Sequence, residues 1–124
     1  MDPSDPLTGA RQEAFRSTEW LPAKSLDHQH LKQWLREERI FGVRLDGVDW
    51  YPAYLFEPTS GRPAQGLDQV IRAFGGVGDG WRLAFWFASV NSYLGGKRPQ
   101  DELPRDPAAV ASAAIQENQP VEHG

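Results

Sequence analysis

The chain of 124 residues has no cysteine, three histidines and a formal net charge of −4. Without cysteine, neither a disulfide framework nor a thiolate zinc site can form. No apolar run approaches the ~20 residues that a membrane-spanning helix requires. The acidic start of the chain also lacks the basic and then apolar segments of a signal peptide. We therefore expect a cytoplasmic protein with no membrane partner, and no general attraction to nucleic acid.

A catalytic, metal or cofactor site is not predicted either. The glycine-rich segment 75–80 lacks the Lys-Ser/Thr pair of a phosphate loop, because Trp81 follows Gly80. His28 and His30 are two positions apart and would point about 200° away from each other on a helix. Ser89 lies within an apolar helix rather than at the strand–turn–helix elbow of a hydrolase nucleophile. The residues favour a protein that is not an enzyme.

The most apolar stretch runs from Trp81 to Val90, where Arg82 is the only charged residue. A helix that is apolar on all sides has to be buried on all sides. In a chain that is 40% hydrophobic, this stretch is the natural centre of a single core. We therefore predict that the other elements pack around this helix.

A specific sequence of turn and helix signals follows the apolar stretch. Gly95 and Gly96 can adopt the left-handed conformation that ends a helical turn. Pro99 is favoured as a first helical residue, and Asp101 and Glu102 would lie in the first turn, where the helix dipole favours negative charge. The pattern predicts a buried helix, a tight reversal and a short second helix.

These residues resemble a known family signature. From Trp81 to Leu103 the sequence is WRLAFWFASVNSYLGGKRPQDEL, and it resembles the antitoxin MbcA/ParS/Xre toxin-binding domain. In that family an apolar helix precedes an Asn-containing turn, Leu-Gly-Gly-basic-basic-Pro and a short helix ending in Leu. The resemblance extends from Ile40 onward, roughly two thirds of the 124 residues. Ser92 and Gln100 depart from it, because the family often has Pro and an apolar residue there, and these departures bear on the subfamily and its partner.

The resemblance implies an antitoxin of a type II toxin–antitoxin system. Its partner would be a RES-domain toxin, which depletes NAD, and the chain would block the toxin's active site sterically. Some antitoxins of this kind also pair through this domain, so a homodimer is a further hypothesis. Carried onto this sequence, the predicted toxin contacts are Lys97, Arg98, Gln100, Asp101, Ala111 and Ile115.

The pattern of elements predicts a mainly α fold with one β-hairpin, an α+β class. We divide the chain into a flexible arm (residues 1–16), a winged helix-turn-helix-like module (17–56), a helical toxin-binding domain (57–116) and a polar tail (117–124). The arm can form a helical turn at residues 11–16. Asp46-Gly47 predicts a two-residue hairpin turn that pairs Leu45 with Val48, Arg44 with Asp49 and Val43 with Trp50. Pro52 has no N–H to donate, so the second strand must be an edge strand or end there.

Two further helices are predicted in the second half of the chain. Leu67, Val70, Ile71 and Phe74 follow the i, i+3, i+4, i+7 spacing of an amphipathic helix. A last helix would be capped by Asp106 and start at Pro107. Its predicted apolar face consists of Val110, Ala111, Ala114 and Ile115.

Residues 17–52 also suggest a rival function. Ser17–Glu19 is a helix-start signal, and Pro22 limits the helix that would start there to about one turn. Ser25 or Asp27 can cap a second helix. A short helix, a second helix and a hairpin is the order of a winged helix-turn-helix, and residues 34–44 are similar to those of excisionase-like and MerR-like modules. A DNA-binding autoregulator would use the second helix in the major groove of operator DNA. Its predicted contacts are His28, Gln29, Lys32, Arg36, Arg39 and Arg44.

The charge balance argues against strong DNA binding. Residues 1–56 contain seven Lys or Arg and nine Asp or Glu. The segment therefore lacks the basic field that drives counterion release from DNA. We expect this half to be a degenerate module that contributes mainly to packing.

Overall fold

The computed structural model describes residues 6–120, without the side chains of a few residues within that range. The predicted class is confirmed, because the described chain is mainly helical with a small antiparallel sheet. Its helices are α1 (Pro6–Arg16), α2 (His28–Arg36), α3 (Leu67–Ala73), α4 (Trp81–Ala88), α5 (Pro99–Glu102) and α6 (Pro107–Glu117). Its strands are β1 (Trp20–Pro22), β2 (Val43–Leu45) and β3 (Val48–Pro52), and short 3-10 turns lie at Ala23–Ser25, Ala53–Leu55 and Ser92–Leu94.

The β2–β3 hairpin has the predicted register. Leu45 pairs with Val48, and both residues of the Asp46-Gly47 turn have positive φ angles, of 52° and 76°. The strand β3 ends at the proline predicted to stop it. Glycine and aspartate tolerate this left-handed backbone, so the local sequence is sufficient to set the hairpin.

The sheet has a third strand that the sequence analysis did not predict. Its order is β1-β3-β2, so β3 is central and β1 forms an edge. The helix start predicted at Ser17–Glu19 is wrong, because the segment that follows is extended and the Ala53 N–H donates to the Glu19 carbonyl at 2.8 Å. Pro22 leaves room for about one helical turn, whereas an extended chain can pair with β3. The first helix of the winged helix-turn-helix is therefore absent from this position.

The predicted arm forms the helix α1 over Pro6–Arg16, which contains the helical turn expected at residues 11–16 and extends it toward the start of the chain. Ala14 is buried, and Phe15 stacks on Trp20 with ring centroids 5.1 Å apart. Phe15 also meets the edge of Trp50 at 5.4 Å. These contacts attach α1 to the sheet, and α1 also packs against α4. Residues 1–5 lie outside the described residues.

The helix α4 is the centre of the core, as predicted, but it is shorter than expected. Trp81, Leu83, Ala84, Trp86 and Phe87 are buried. The helix ends at Ala88, because Ser89 has an extended backbone, and its hydroxyl donates to the Phe85 carbonyl at 2.7 Å. Val90 is 74% exposed and does not belong to the core.

The two predicted modules share one hydrophobic core. The cluster of buried side chains contains Phe41 and Leu55 from the first module as well as Phe87 and Val110 from the second. Trp20 lies 6.4 Å from Trp81 between ring centroids. The boundary predicted at residues 56 and 57 is therefore a connector within one packed unit.

The helices α3 and α6 pack against each other. The side chains of Val110 and Ala114 are buried as predicted, and Asp106 caps α6 by accepting the Ala109 N–H at 3.1 Å. Ile115 is an exception to the predicted apolar face, because it is 45% exposed. In the predicted tail, Asn118 donates to the Ala114 carbonyl at 2.8 Å, and residues 121–124 lie outside the described part.

Candidate partner-binding surface

The turn from Val90 to Lys97 is a rigid reversal built around one buried side chain. Asn91 is buried, and its side-chain oxygen accepts the Tyr93 N–H at 2.8 Å. Its backbone N–H donates to the Lys97 carbonyl at 3.0 Å, and its carbonyl accepts the Gly96 N–H at 2.9 Å. Gly95 and Gly96 have φ angles of 67° and 84°, as the sequence predicted. We call residues 90–97 the reversal loop.

The reversal loop presents apolar side chains to solvent. Val90 is 74% exposed and Tyr93 is 56% exposed. The Lys97 side chain is also largely exposed, and its Nζ lies 3.9 Å from Glu102 Oε1. Neighbouring exposed apolar side chains on a loop held by hydrogen bonds make this loop a candidate contact surface.

The predicted contact Gln100 has a different role in the structure. It is only 9% exposed, and its Nε2 donates to the Ser17 carbonyl at 3.0 Å. The Thr18 hydroxyl donates to Gln100 Oε1, also at 3.0 Å. Gln100 therefore joins α5 to the segment before β1, and it is not an accessible toxin contact.

The neighbouring predicted contacts form an internal pair. Arg98 donates from Nε to Asp101 at 2.9 Å and from Nη2 at 3.2 Å. Its Nη1 also lies 3.4 Å from the Ser17 carbonyl. Asp101 remains more than half exposed, whereas the Arg98 side chain is two-thirds covered. Asp101 is therefore the more accessible of the two.

The two predicted contacts on α6 differ in accessibility. Ala111 is 3% exposed and belongs to the core, so a partner cannot reach it. Ile115 is 45% exposed and remains available. The sequence analysis placed both residues on one apolar face, and only packing distinguishes them.

A groove between β1, the 3-10 turn at Ala53–Leu55 and α5 was not predicted. Its volume is about 600 Å³. It is lined by Thr18, Glu19, Leu21, Leu26, Ala53, Tyr54, Phe56, Glu57, Pro58, Gly61, Gln100, Asp101 and Pro104. These residues come from distant parts of the chain, so no periodic pattern in the sequence could reveal the groove.

Tyr54 lies in a mainly aromatic setting beside this groove. Its ring centroid lies 4.8 Å from that of Phe87 and 6.4 Å from that of Phe41. Burial raises the pKa of the Tyr54 hydroxyl well above its usual range. The burial therefore disfavours the phenolate form of Tyr54.

The predicted DNA contacts are divided between a free helix face and a paired hairpin. Gln29, Lys32 and Arg36 are exposed and follow one face of α2. Arg44 on the hairpin donates two hydrogen bonds to Asp49, at 2.9 and 3.1 Å, and this pair lowers the pKa of Asp49. His28 is the first residue of α2, and its side chain lies outside the described part.

A second cavity, of about 410 Å³, lies next to α2. It is lined by His30, Gln33, Trp34, Arg39, Ser60, Arg62 and Pro63. Arg39 Nη1 lies 3.8 Å from Glu37 Oε2, a partly exposed ion pair. His30 is bound by Asp27, at 2.8 Å between Nδ1 and Oδ2, and this hydrogen bond lowers the pKa of Asp27. The positive charge of Arg39 is therefore partly neutralised by Glu37, whereas Arg62 forms no ion pair with another described residue.

The described residues contain no group of three or more His, Asp or Glu side chains placed to hold a metal ion. Within residues 6–120, no helix has both the length and the hydrophobicity required to cross a membrane. A comparison of the chain with family models, with curated proteins and with solved structures finds no match.

Proposed function

We propose that this chain is the antitoxin of a type II toxin–antitoxin system, and that it binds a RES-domain toxin and blocks its active site sterically. The reversal loop carries the proposal, because Val90 and Tyr93 are exposed on a frame held by buried Asn91. Tyrosine is enriched among the residues that dominate binding affinity, and an exposed valine contributes hydrophobic free energy when a partner buries it. In this proposal the chain performs no chemistry itself.

The predicted toxin-contact set changes with the observed burial. Lys97, Asp101 and Ile115 remain, because their side chains are accessible. Val90 and Tyr93 join them as apolar contacts. Gln100 and Ala111 leave the set, and Arg98 contributes by orienting the Asp101 carboxylate.

The first test is growth of cells that express the adjacent open reading frame with and without this chain. Arrest by the neighbour alone and rescue on co-expression would support the proposal. The double variant Val90→Asp/Tyr93→Asp should abolish rescue, because a charge at an apolar contact has to be desolvated on binding.

The hairpin provides a matched control for this variant. Val48 is also a large exposed apolar residue, but it lies at the Asp46-Gly47 turn, outside the proposed surface. Val48→Asp should still rescue growth. Failure of both variants to rescue would indicate a general loss of folding, and rescue by both would exclude the reversal loop as the contact.

Binding to operator DNA is a second candidate function, favoured by the exposed face of α2 with Lys32 and Arg36. Neither side chain forms an ion pair with another residue in the described part of the chain. Affinity for the DNA upstream of the chain's own gene should then fall steeply with salt, and Arg36→Ala should weaken it. Arg105→Ala, an exposed arginine between α5 and α6, is the control. Equal effects of the two substitutions on DNA affinity would exclude recognition of the DNA by α2.

A homodimer formed through the reversal loop would compete with the toxin for the same surface, and light scattering of the purified chain tests for it. If the exposed apolar side chains of the reversal loop form the dimer contact, Val90→Asp should convert a dimer to a monomer. Val48→Asp should leave the mass unchanged.

A further inference from the structure

The groove between β1, the Ala53–Leu55 turn and α5 combines an apolar interior with an acidic rim. Most of its lining is apolar, with Leu21, Tyr54 and Pro104 contributed by three separate segments. A volume of about 600 Å³ lies within the range of roughly 300–1,000 Å³ that is typical of ligand pockets, which is enough space for a large side chain. The groove is open enough to admit a chain segment from outside.

The charged residues that line the groove all have the same sign. They are Glu19, Glu57 and Asp101, and no Lys or Arg is among the lining residues. Asp101 is partly neutralised by its hydrogen bonds with Arg98. Glu19 and Glu57 form no ion pair with any residue from 6 to 120, so they dominate the local field.

We propose that this groove is a docking site for an extended peptide segment of a partner protein, with a large apolar side chain flanked by Lys or Arg. The apolar side chain would occupy the space against Tyr54 and Phe56, and the flanking cations would approach Glu19 and Glu57. This pattern gives each type of lining residue a complementary partner. The proposal goes beyond the proposed function, because it assigns a second surface, which shares Asp101 with the toxin-contact set, and its occupant can be tested without a toxin.

The same charges argue against other occupants. A nucleic-acid backbone would bring phosphates next to three carboxylates, which is unfavourable. Residues 1–5 and 121–124 are also poorly matched, because the first segment carries two Asp and the second carries one Glu, with no Lys or Arg in either. A basic segment from another protein remains the complementary occupant.

The walls of the groove are held in place before anything binds. The Tyr54 ring packs on Phe87, and Gln100 is fixed by hydrogen bonds to Thr18 and the Ser17 carbonyl. A preformed site loses little conformational entropy on binding.

The test uses nuclear magnetic resonance titrations of the full ¹⁵N-labelled chain with three synthetic hexapeptides. The first is acetyl-Gly-Lys-Leu-Trp-Arg-Gly-amide. The second replaces its Lys and Arg with Glu, and the third replaces its Leu and Trp with Ser. The first peptide should shift the amide signals of Leu21, Tyr54 and Glu57, and should bind at least about tenfold more tightly than either of the others.

Two pairs of charge reversals distinguish the groove from general electrostatic attraction. Glu19→Lys/Glu57→Lys should weaken binding of the first peptide by about tenfold. Glu13→Lys/Glu117→Lys changes the net charge equally at exposed sites outside the groove and should change binding less than about twofold. Both double variants alter exposed side chains, and their amide spectra report whether the fold is intact.

The proposal is overturned if the first peptide leaves the groove signals unshifted at millimolar concentration, if the acidic peptide binds equally well, or if the two double variants weaken binding equally. None of these outcomes depends on rescue of growth. The antitoxin proposal and the groove proposal can therefore fail separately.

Discussion

The carbonyl oxygen of Gly42 occupies the position that a Cβ atom at Gly80 would take. Gly80 is the residue before α4, and its φ angle is +83°. The same Cβ would also press on the Val43 side chain. Glycine is therefore required at position 80 for two reasons, the left-handed backbone and the close approach of the strand region to the start of the central helix.

Gly80→Ala should lower the free energy of unfolding by about 3 kcal/mol or more, because it adds a steric overlap with backbone to a left-handed conformation. Gly78→Ala is the matched control, since Gly78 has a φ angle of +58° and no atom within 4 Å of its added Cβ. That substitution should cost only about 1–2 kcal/mol, from backbone strain alone. Urea denaturation measures both values, and equal losses would show that the contact with Gly42 has no energetic importance.

Gln100→Ala should destabilise the protein by about 1–3 kcal/mol, because it breaks two part-buried hydrogen bonds and leaves the Ser17 carbonyl with only the longer hydrogen bond from Arg98, at 3.4 Å. Gln33→Ala removes a hydrogen bond to Glu37 on the exposed face of α2 and should change stability by less than about 0.5 kcal/mol. Thermal unfolding of the two variants provides the comparison. An equally small effect of both would contradict a linking role for Gln100.

Protonation of Asp49 should lower the free energy of unfolding at acidic pH. Its hydrogen bonds from Arg44 lower its pKa in the folded state. A depressed carboxyl pKa stabilises the folded protein above the unfolded-state value of about 3.9, and this contribution is lost as the pH falls through the folded-state pKa. Asp49→Asn should therefore destabilise the protein at pH 7 more than at pH 2.

The control for this prediction is Asp46→Asn in the same hairpin. Asp46 forms no ion pair with any described residue, and asparagine also accepts its positive φ angle. In this variant the difference in the urea midpoint between pH 7 and pH 2 should be close to that of the unsubstituted protein. A difference equal to that of Asp49→Asn would assign the acid sensitivity to the hairpin's net charge rather than to the Arg44 pair.

Tyr54 should ionise only well above the usual tyrosine pKa of about 10, because its phenolate would be buried. A raised phenol pKa means that the neutral form stabilises the fold. This contribution is fully present below the unfolded-state pKa and is lost as the pH rises through the folded-state value. Burial also raises the pKa of Tyr51, so near-ultraviolet absorbance should show two delayed tyrosine ionisations. Tyr54→Phe should remove the later of the two, and Tyr93→Phe should leave both in place. Loss of a delayed step in Tyr93→Phe would show that this step belongs to Tyr93 and would contradict the prediction.

The elements that depend on neighbouring residues were predictable. The hairpin register follows from Asp46-Gly47, the start of α6 follows from Asp106-Pro107, and the reversal loop follows from its two glycines. The amphipathic spacing of α3 also corresponds to its buried face. Each of these signals acts within a few residues, so the physical preference is contained in the local sequence.

Elements stabilised by distant contacts were not predictable. The segment before Pro22 becomes an edge strand because β3 offers it hydrogen bonds, and α1 forms where Phe15 can stack on Trp20. The candidate surface shows the same division. Its rigid reversal loop was expected, but the burial of Gln100 depends on Thr18, 82 positions earlier in the chain.

The sequence by itself determined the fold class, the central helix and the turns, because left-handed glycines, prolines and helix caps act on their own backbone. Only the tertiary structure decided which polar side chains are covered and where the acidic groove lies. Burial and charge complementarity depend on which surfaces meet. In this protein the buried side chains and the groove are formed by segments from both halves of the chain. The sequence of a single segment therefore does not predict them.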